Sequence, residues 1–287
     1  MQEQIENGEK WTLIIKSKTG WFDLHLADLW DYRDLLFLFV KRDFVSMYKQ
    51  TILGPLWFLI QPILTTFLFV IVFDKVARIP TDEIPSPLFY LSGLIIWNYF
   101  STCLTNTAAT FSKNTDLFGK VYFPRLIIPL ASVISALISF VIQFALLVLL
   151  LLYYYVFKGV SINLNMVIIL IPALILVITG LGLGIGIIIS ALTTKYRDLV
   201  YLINFGIQLF MYVTPIIYPL SFVSGKYRSF ILANPITPLV ETFRYALLGV
   251  GTYNPWYLGY SILVTFAVLA IGVLVFNRVQ KNFMDVI

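Results

Sequence analysis

The side chains best suited to chemistry lie close together in one apolar stretch. Ser92, Asn98, Ser101, Thr102, Thr105, Asn106 and Thr107 carry neutral hydrogen-bonding groups, and Trp97, Tyr99 and Phe100 interleave with them. Aromatic rings offer flat apolar faces, while amides and hydroxyls offer donors and acceptors. Together they suit a sugar-like ligand, which has apolar ring faces and hydroxyl edges. The same residue types also join helices inside a membrane or form an interfacial belt, so the pattern alone leaves both roles open. Tyr153-Tyr154-Tyr155 reads most simply as such a belt. Glu241 and Arg244 stand three apart, a spacing that lets them pair on a helix. Pairing is one role for them, and a charged lining for an exit is the other.

Catalytic constellations are missing. His25 is the single histidine and Cys103 the single cysteine. One cysteine excludes an intramolecular disulfide and a multi-cysteine metal site, and Cys103 reads as a small packing residue. No catalytic, metal or cofactor-binding residue is assigned. The chain has no Gly-x-x-x-x-Gly-Lys-Ser/Thr run, so it lacks a phosphate-binding loop of that type. The stretch TGLGLGIG, Thr179 to Gly186, fails as a dinucleotide fingerprint because Ile187 stands where a third glycine is needed. It does hold Gly180-x-x-x-Gly184 and Gly182-x-x-x-Gly186, spacings that let helices approach closely in lipid. No acidic residue or histidine lies inside the long apolar intervals, which argues against proton-coupled transport. The absence of an acidic catalytic pair disfavours a membrane glycosyltransferase.

The elements that must position these residues are membrane helices. Apolar residues make up 59% of the 287 and charged residues only 12%, and mean hydropathy is +0.87. A core of that size leaves no polar surface to cover it, so its solvent must be lipid. Intervals free of charge run for 24, 29, 32, 36, 27 and 33 residues, beginning after Lys49, Glu83, Arg125, Lys158, Asp198 and Arg244. Each exceeds the roughly 20 residues that cross a bilayer. The expectation is an all-α polytopic protein. A cytoplasmic segment, 1–50, precedes a six-span domain, 51–287. The spans fall roughly at 51–73, 86–111, 126–154, 166–192, 199–219 and 256–276. With both termini in the cytoplasm, fourteen of the 20 Lys and Arg residues lie on that side. The net charge of +5 is thus a topology signal rather than a nucleic-acid footprint. The start, MQEQIENGEKW, lacks the apolar core of a secretory signal.

Two further segments are amphipathic or broken. Phe22, Leu26, Leu29, Trp30, Leu36, Phe37, Val40, Phe44, Met47 and Tyr48 recur at steps of three and four, opposite Asp23, Asp31, Asp34, Lys41 and Arg42. This predicts an interfacial helix, with Trp30 and Tyr48 at headgroup level. Packing of the same stripe on the bundle is the companion expectation. Between Pro219 and Pro255, Asn234-Pro235 and Thr237-Pro238 interrupt the chain. Two short re-entrant or interfacial helices are expected there, between spans five and six.

The stretch KRDFVSMYKQTILGPLWFLIQP, Lys41 to Pro62, carries charge to the edge of span one and bends at Leu53-Gly54-Pro55. With Tyr48-Lys49-x-Thr51-x-Leu53-Gly54-Pro55-Leu56-Trp57, Tyr196-Arg197-Asp198-Leu199 and Asn234-Pro235-x-Thr237-Pro238-Leu239-Val240-Glu241-x-Phe243-Arg244, it resembles the permease subunits of type-2 ABC exporters. The branch it resembles exports O antigen, capsule and teichoic acid. The resemblance spans nearly the whole chain. It implies a transport subunit in the bacterial cytoplasmic membrane that pairs with a second copy of itself. Two separate ATP-binding cassette subunits would bind ATP and Mg, and a lipid-linked glycan would be the cargo. It further implies contact with the ATPase through Arg42, Asp43, Met47, Tyr48, Lys49, Leu53, Gly54 and Pro55, and through Asp116, Leu117 and Phe118. Trp57, Trp97, Asn98, Tyr99 and Phe100 become candidates for the substrate path. Asn234, Pro235, Pro238, Glu241 and Arg244 become candidates for an outer gate. An ABC exporter for drugs or lipids and a stand-alone channel are the alternatives.

Overall fold

A computed structural model describes residues 26–49, 51–114, 117, 123–160, 165–193 and 198–286, and among these no strand occurs. In chain order the helices are α1 (Leu26–Asp31), α2 (Arg33–Tyr48), α3 (Trp57–Phe69), α4 (Ser86–Ala108), α5 (Thr110–Lys113) and α6 (Ile127–Lys158). They continue as α7 (Ile171–Thr193), α8 (Leu199–Val213), α9 (Gly225–Leu232), α10 (Ile236–Leu248) and α11 (Pro255–Val286). Among the described residues, five helical segments are long and apolar enough to cross a membrane: Gly54–Val76, Ser86–Ala108, Ile127–Lys158, Met166–Thr193 and Pro255–Arg278.

The fifth apolar interval behaves differently from the expected span at 199–219. Its helix, α8, has only 15 residues. At 1.5 Å per residue that falls short of the roughly 30 Å hydrocarbon layer. The cause is Pro215. It disfavours the helical conformation in the residue before it, and Thr214 duly turns extended, at φ −87° and ψ 138°. Span one is composite: a 3₁₀ turn at Gly54–Leu56, then α3, then a wider π turn at Val70–Val76.

The least hydropathic span, α4, is also the one most enclosed by protein, whereas span one has few buried residues and is exposed or half-buried along the rest of its length. Polar side chains in a membrane are stable only where protein or water meets them, so the most polar helix takes the centre. Helix α7 closes on it through glycines. A β-carbon on Gly182 would lie 2.8 Å from Cβ of Cys103, and one on Gly186 would lie 2.6 Å from Cβ of Thr107. The other glycine pair serves a different neighbour. A β-carbon on Gly184 would sit 3.0 Å from the backbone nitrogen of Leu269 on α11, and one on Gly180 would sit 2.9 Å from Cγ2 of Thr265. Two glycine stripes on one helix therefore bring two helices to backbone contact. Cys103 is fully buried at the first of these seams, as a packing residue.

The interfacial helix differs from its expected form. It divides at Tyr32 into α1 and α2. The inward face carries Phe39 and Val40, which pack with Phe111, Phe123, Ile127 and Phe276 in a cluster at the end of the bundle. Trp30 and Phe37, expected on the apolar stripe, are 72% and 63% exposed, while Phe39 is 6% exposed. Leu35 to Val40 is an unbroken apolar run, so periodicity alone could not choose which side turns inward.

Gly186→Leu is expected to destabilise the bundle by about 1–3 kcal/mol or more, through overpacking against Thr107 and the Leu104 carbonyl. Gly259→Ala has nothing within 4 Å of its new methyl and should leave stability unchanged or raise it. Thermal unfolding of the purified chain in detergent measures both.

Candidate functional site

A groove of about 610 Å³ opens between α4 and α8. Helix α4 contributes Trp97, Ser101 and Thr105, and α8 contributes Asn204, Phe205, Gln208 and Tyr212. The hydroxyls are held by their own helix: Ser101 Oγ donates to the Asn98 carbonyl at 3.2 Å, and Thr105 Oγ1 to the Ser101 carbonyl at 2.8 Å. Their oxygens remain free to accept. Asn204 and Gln208 are four apart and share one face of α8, a helix with no buried residue. Trp97 packs beside Phe210 and Phe100 in the core, only 4% exposed, and also borders the groove.

The polar span thus divides between the two roles left open for it. Ser101 and Thr105 line the groove, whereas Ser92 and Thr107 are fully buried between helices. Among the other path candidates, Asn98 is half-buried, and Tyr99 and Phe100 lie in the core at 3% and 1% exposure. The Tyr99 and Thr179 hydroxyls share a hydrogen bond, which joins α4 to α7. Trp57 is 49% exposed on α3 and does not line the groove. The amides Asn204 and Gln208 were not singled out from the sequence. Their signal was available, as two amides at i and i+4 in a charge-free apolar interval.

Apart from Leu117, the described coupling candidates lie along α2 and at the start of span one. Arg42 donates to Asp43 Oδ1 from Nε at 2.9 Å and from Nη2 at 2.7 Å, and its guanidinium lies 4.7 Å from the centre of the Phe39 ring. Lys49 ends α2 and is exposed. Met47 and Tyr48 lie in the last turn of α2, but their side chains are outside the described residues. Leu53 precedes the 3₁₀ turn that holds Gly54 and Pro55, and Gly54 has φ +52°, a conformation that favours glycine. Phe44 of α2 and Phe58 of α3 stack at 5.9 Å across the elbow. Asp116 and Phe118 lie outside the described residues, as do Tyr196 and Arg197. Leu117 is described, and it packs against the cluster that takes Phe39 and Val40.

The expected short helices between spans five and six are α9 and α10. Their anchor is Arg244, which is wholly buried. Its Nη1 donates to the Pro215 carbonyl at 2.5 Å, and its Nη2 to the Ile216 carbonyl at 2.8 Å and the Phe89 carbonyl at 3.4 Å. Its Nε reaches Ser92 Oγ at 3.4 Å, and the guanidinium lies 3.8 Å from the centre of the Phe89 ring. Glu241 pairs with it at 3.7 Å and accepts from the backbone N–H and hydroxyl of Thr252 at 3.1 and 3.3 Å. Both side chains are buried at 1–2% exposure, so in this chain they form a pair rather than a charged lining. Burial lowers the Arg244 pKa to about 10, still well above neutrality. Burial raises that of Glu241, against the opposing pull of Arg244 and Thr252. Asn234 Nδ2 donates to Thr214 Oγ1 at 2.9 Å, while its Oδ1 accepts from the Ile236 N–H at 3.0 Å. Pro235 and Pro238 sit at the N-cap and first turn of α10, where a missing N–H is harmless.

Comparison with known proteins places the chain among membrane transporters. The family model described as "ABC-2 type transporter" matches residues 34–248. The chain is 28% identical over 255 residues to an O-antigen export system permease protein RfbA of Klebsiella pneumoniae, covering 88% of this chain and 95% of that one. It is 30% identical over 222 residues to an O-antigen export system permease protein RfbA of Myxococcus xanthus, covering 76% of this chain and 82% of that one.

Arg244→Ala would leave the Pro215 and Ile216 carbonyls bare and the Glu241 carboxylate unpaired, at an expected cost of about 3–5 kcal/mol. Glu241→Gln keeps acceptors for Thr252 and should cost less. In the double variant the loss should be smaller than the sum of the Arg244→Ala and Glu241→Ala losses, which a thermal double-mutant cycle measures.

Proposed function

The chain belongs to the ABC-2 type transporter family, and on that premise we propose that it is the membrane subunit of an ATP-driven exporter of a lipid-linked, O-antigen-like polysaccharide. As a permease of that family it is a transport subunit, without the ATPase domain, that works with ATP-binding subunits. Two copies form the pore in the bacterial cytoplasmic membrane, with both termini in the cytoplasm. The ATPase partners bind ATP and Mg. The observation that carries the reading is the groove between α4 and α8, where rings, amides and hydroxyls face one another in a charge-free part of the chain. Such a surface stacks on sugar rings and exchanges hydrogen bonds with their hydroxyls. The names of the relatives point to the same cargo.

The power stroke enters through α2. ATP binding draws the ATPases together, and α2 follows as a rigid unit because Phe39 and Val40 fix it to the cluster that also receives Leu117. The Phe44–Phe58 stack and the Gly54 turn then transmit that motion to span one. The glycan enters laterally from the cytoplasmic leaflet. Helices α9 and α10 border its exit, with the Glu241–Arg244 pair holding the border in place.

In a strain lacking the chain, plasmid-borne copies should restore surface polysaccharide. Gly54→Asn, which tolerates a left-handed turn, should retain most export, while Gly54→Leu should lower it about tenfold at normal membrane levels. Asp43→Arg removes the Arg42 pair from the proposed docking face and should also lower export. Normal export in both Gly54→Leu and Asp43→Arg would refute the coupling route. Trp97→Ala should slow export per folded molecule, whereas Tyr99→Phe, which loses only the bond to Thr179, should lower stability alone.

A further inference from the structure

Neither the Asn204 nor the Gln208 side chain hydrogen-bonds to another group among the described residues, although both stand on an exposed face of an apolar helix. An amide facing hydrocarbon with no partner is strongly unfavourable. These two therefore face a wet path or a polar ligand. Tyr212 continues their row one turn further, and Trp97, Ser101 and Thr105 stand opposite. Every polar group in this set is neutral. The stretches 51–73, 84–112, 126–157, 159–194, 199–225 and 245–277 contain no Asp, Glu, Lys, Arg or His. A second copy of the chain would thus add only neutral wall from the same stretches. Glu241 and Arg244 are buried and matched to each other, so neither offers a free countercharge.

We propose that this groove is a specificity subsite for uncharged sugar residues, with Asn204 and Gln208 as its selecting groups. The volume of about 610 Å³ suits a short run of sugar rings. Amide pairs reward hydroxyls, both as donors and as acceptors. A uronate or phosphodiester has no cation to meet there, and its charge loses water without compensation. The lane accordingly passes neutral polymers and resists polyanionic ones. This inference rests on the polysaccharide-export reading and narrows it.

The test uses the chain assembled with its ATP-binding subunits in vesicles. One substrate is a lipid-linked neutral hexose polymer. The other is the same polymer partly oxidised at C6 to uronic acid. Export per ATP hydrolysed should fall by about tenfold or more for the oxidised polymer. Equal export of both overturns the inference while leaving the export reading intact. Export of neither overturns both. The comparison between polymers needs no variant, so misfolding cannot obscure it. Gln208→Lys, at unchanged expression, should then recover part of the export of the oxidised polymer and slow that of the neutral one. Asn204→Leu with Gln208→Leu should slow neutral export while the fraction of paired copies stays constant. A fall in pairing with unchanged export per pair would make these amides glue between copies and overturn their role in selection.

Discussion

In hydrocarbon a backbone carbonyl cannot turn to water, so a helix that stops inside a membrane protein must find another donor for each group it exposes. Helix α8 stops after 15 residues, and Arg244 supplies the donors for the carbonyls of Pro215 and Ile216 just beyond it. Tyr218 supplies them for Tyr212 and Val213, through a hydroxyl that donates at 3.2 Å to each carbonyl. The short helix that carries half of the groove is therefore possible only because a buried cation from a distant segment meets its broken end. The same guanidinium reaches α4 through Ser92 and Phe89, so the two walls of the groove are tied together at one end. Gly93 makes room for it: a β-carbon there would meet the guanidinium at 2.5 Å.

Around that tie the bundle divides into a packed part and a loosely held part. Helix α7 approaches α4 and α11 to backbone contact along two glycine stripes, and α4, the most polar span, is the one most enclosed by protein. Span one and α8 stand outside, largely exposed. Segments that shift without breaking a core are drawn from the weakly packed helices, here span one and α8. The packed core supplies the fixed wall with Trp97, Ser101 and Thr105, and the loosely held α8 supplies Asn204 and Gln208.

The membrane class, the two short helices between Pro219 and Pro255 and the close approach at Gly180 to Gly186 were legible because each rests on local composition or spacing. The truncation of α8 was written in Thr214-Pro215, yet the charge-free interval around it invited a full-length span. The inward face of α2 was not legible, since a run of six apolar residues offers every side of a helix equally. The Glu241–Arg244 pair was legible from its spacing, but the rest of the role of Arg244 was not. Its partners are mostly backbone carbonyls, and a carbonyl leaves no mark in a sequence. The groove shows the same limit from another angle. Trp97 is a neighbour of Tyr99 and Phe100 in the chain and is buried like them, at 4% exposure, and only the fold tells which of the three borders the groove.

Span one meets the bundle in few places. Pro62 and Thr66 are the buried residues of α3, and near its far end Phe69 and Phe73 sit 6.0 and 6.4 Å from Tyr90, centre to centre. At its near end Phe58 is stacked on α2 rather than on the core. The segment from Gly54 to Val76 is thus a lever with its fulcrum at the aromatic cluster and its handle at the elbow. From that cluster to Gly54 the rod is about 25 Å long, and a tilt of about 5° moves the handle by roughly 2 Å while the fulcrum stays still. A small displacement at the elbow therefore opens a wedge, widest in the leaflet beside α2 and closed at the opposite surface. The opening that such a tilt makes therefore belongs to one leaflet only.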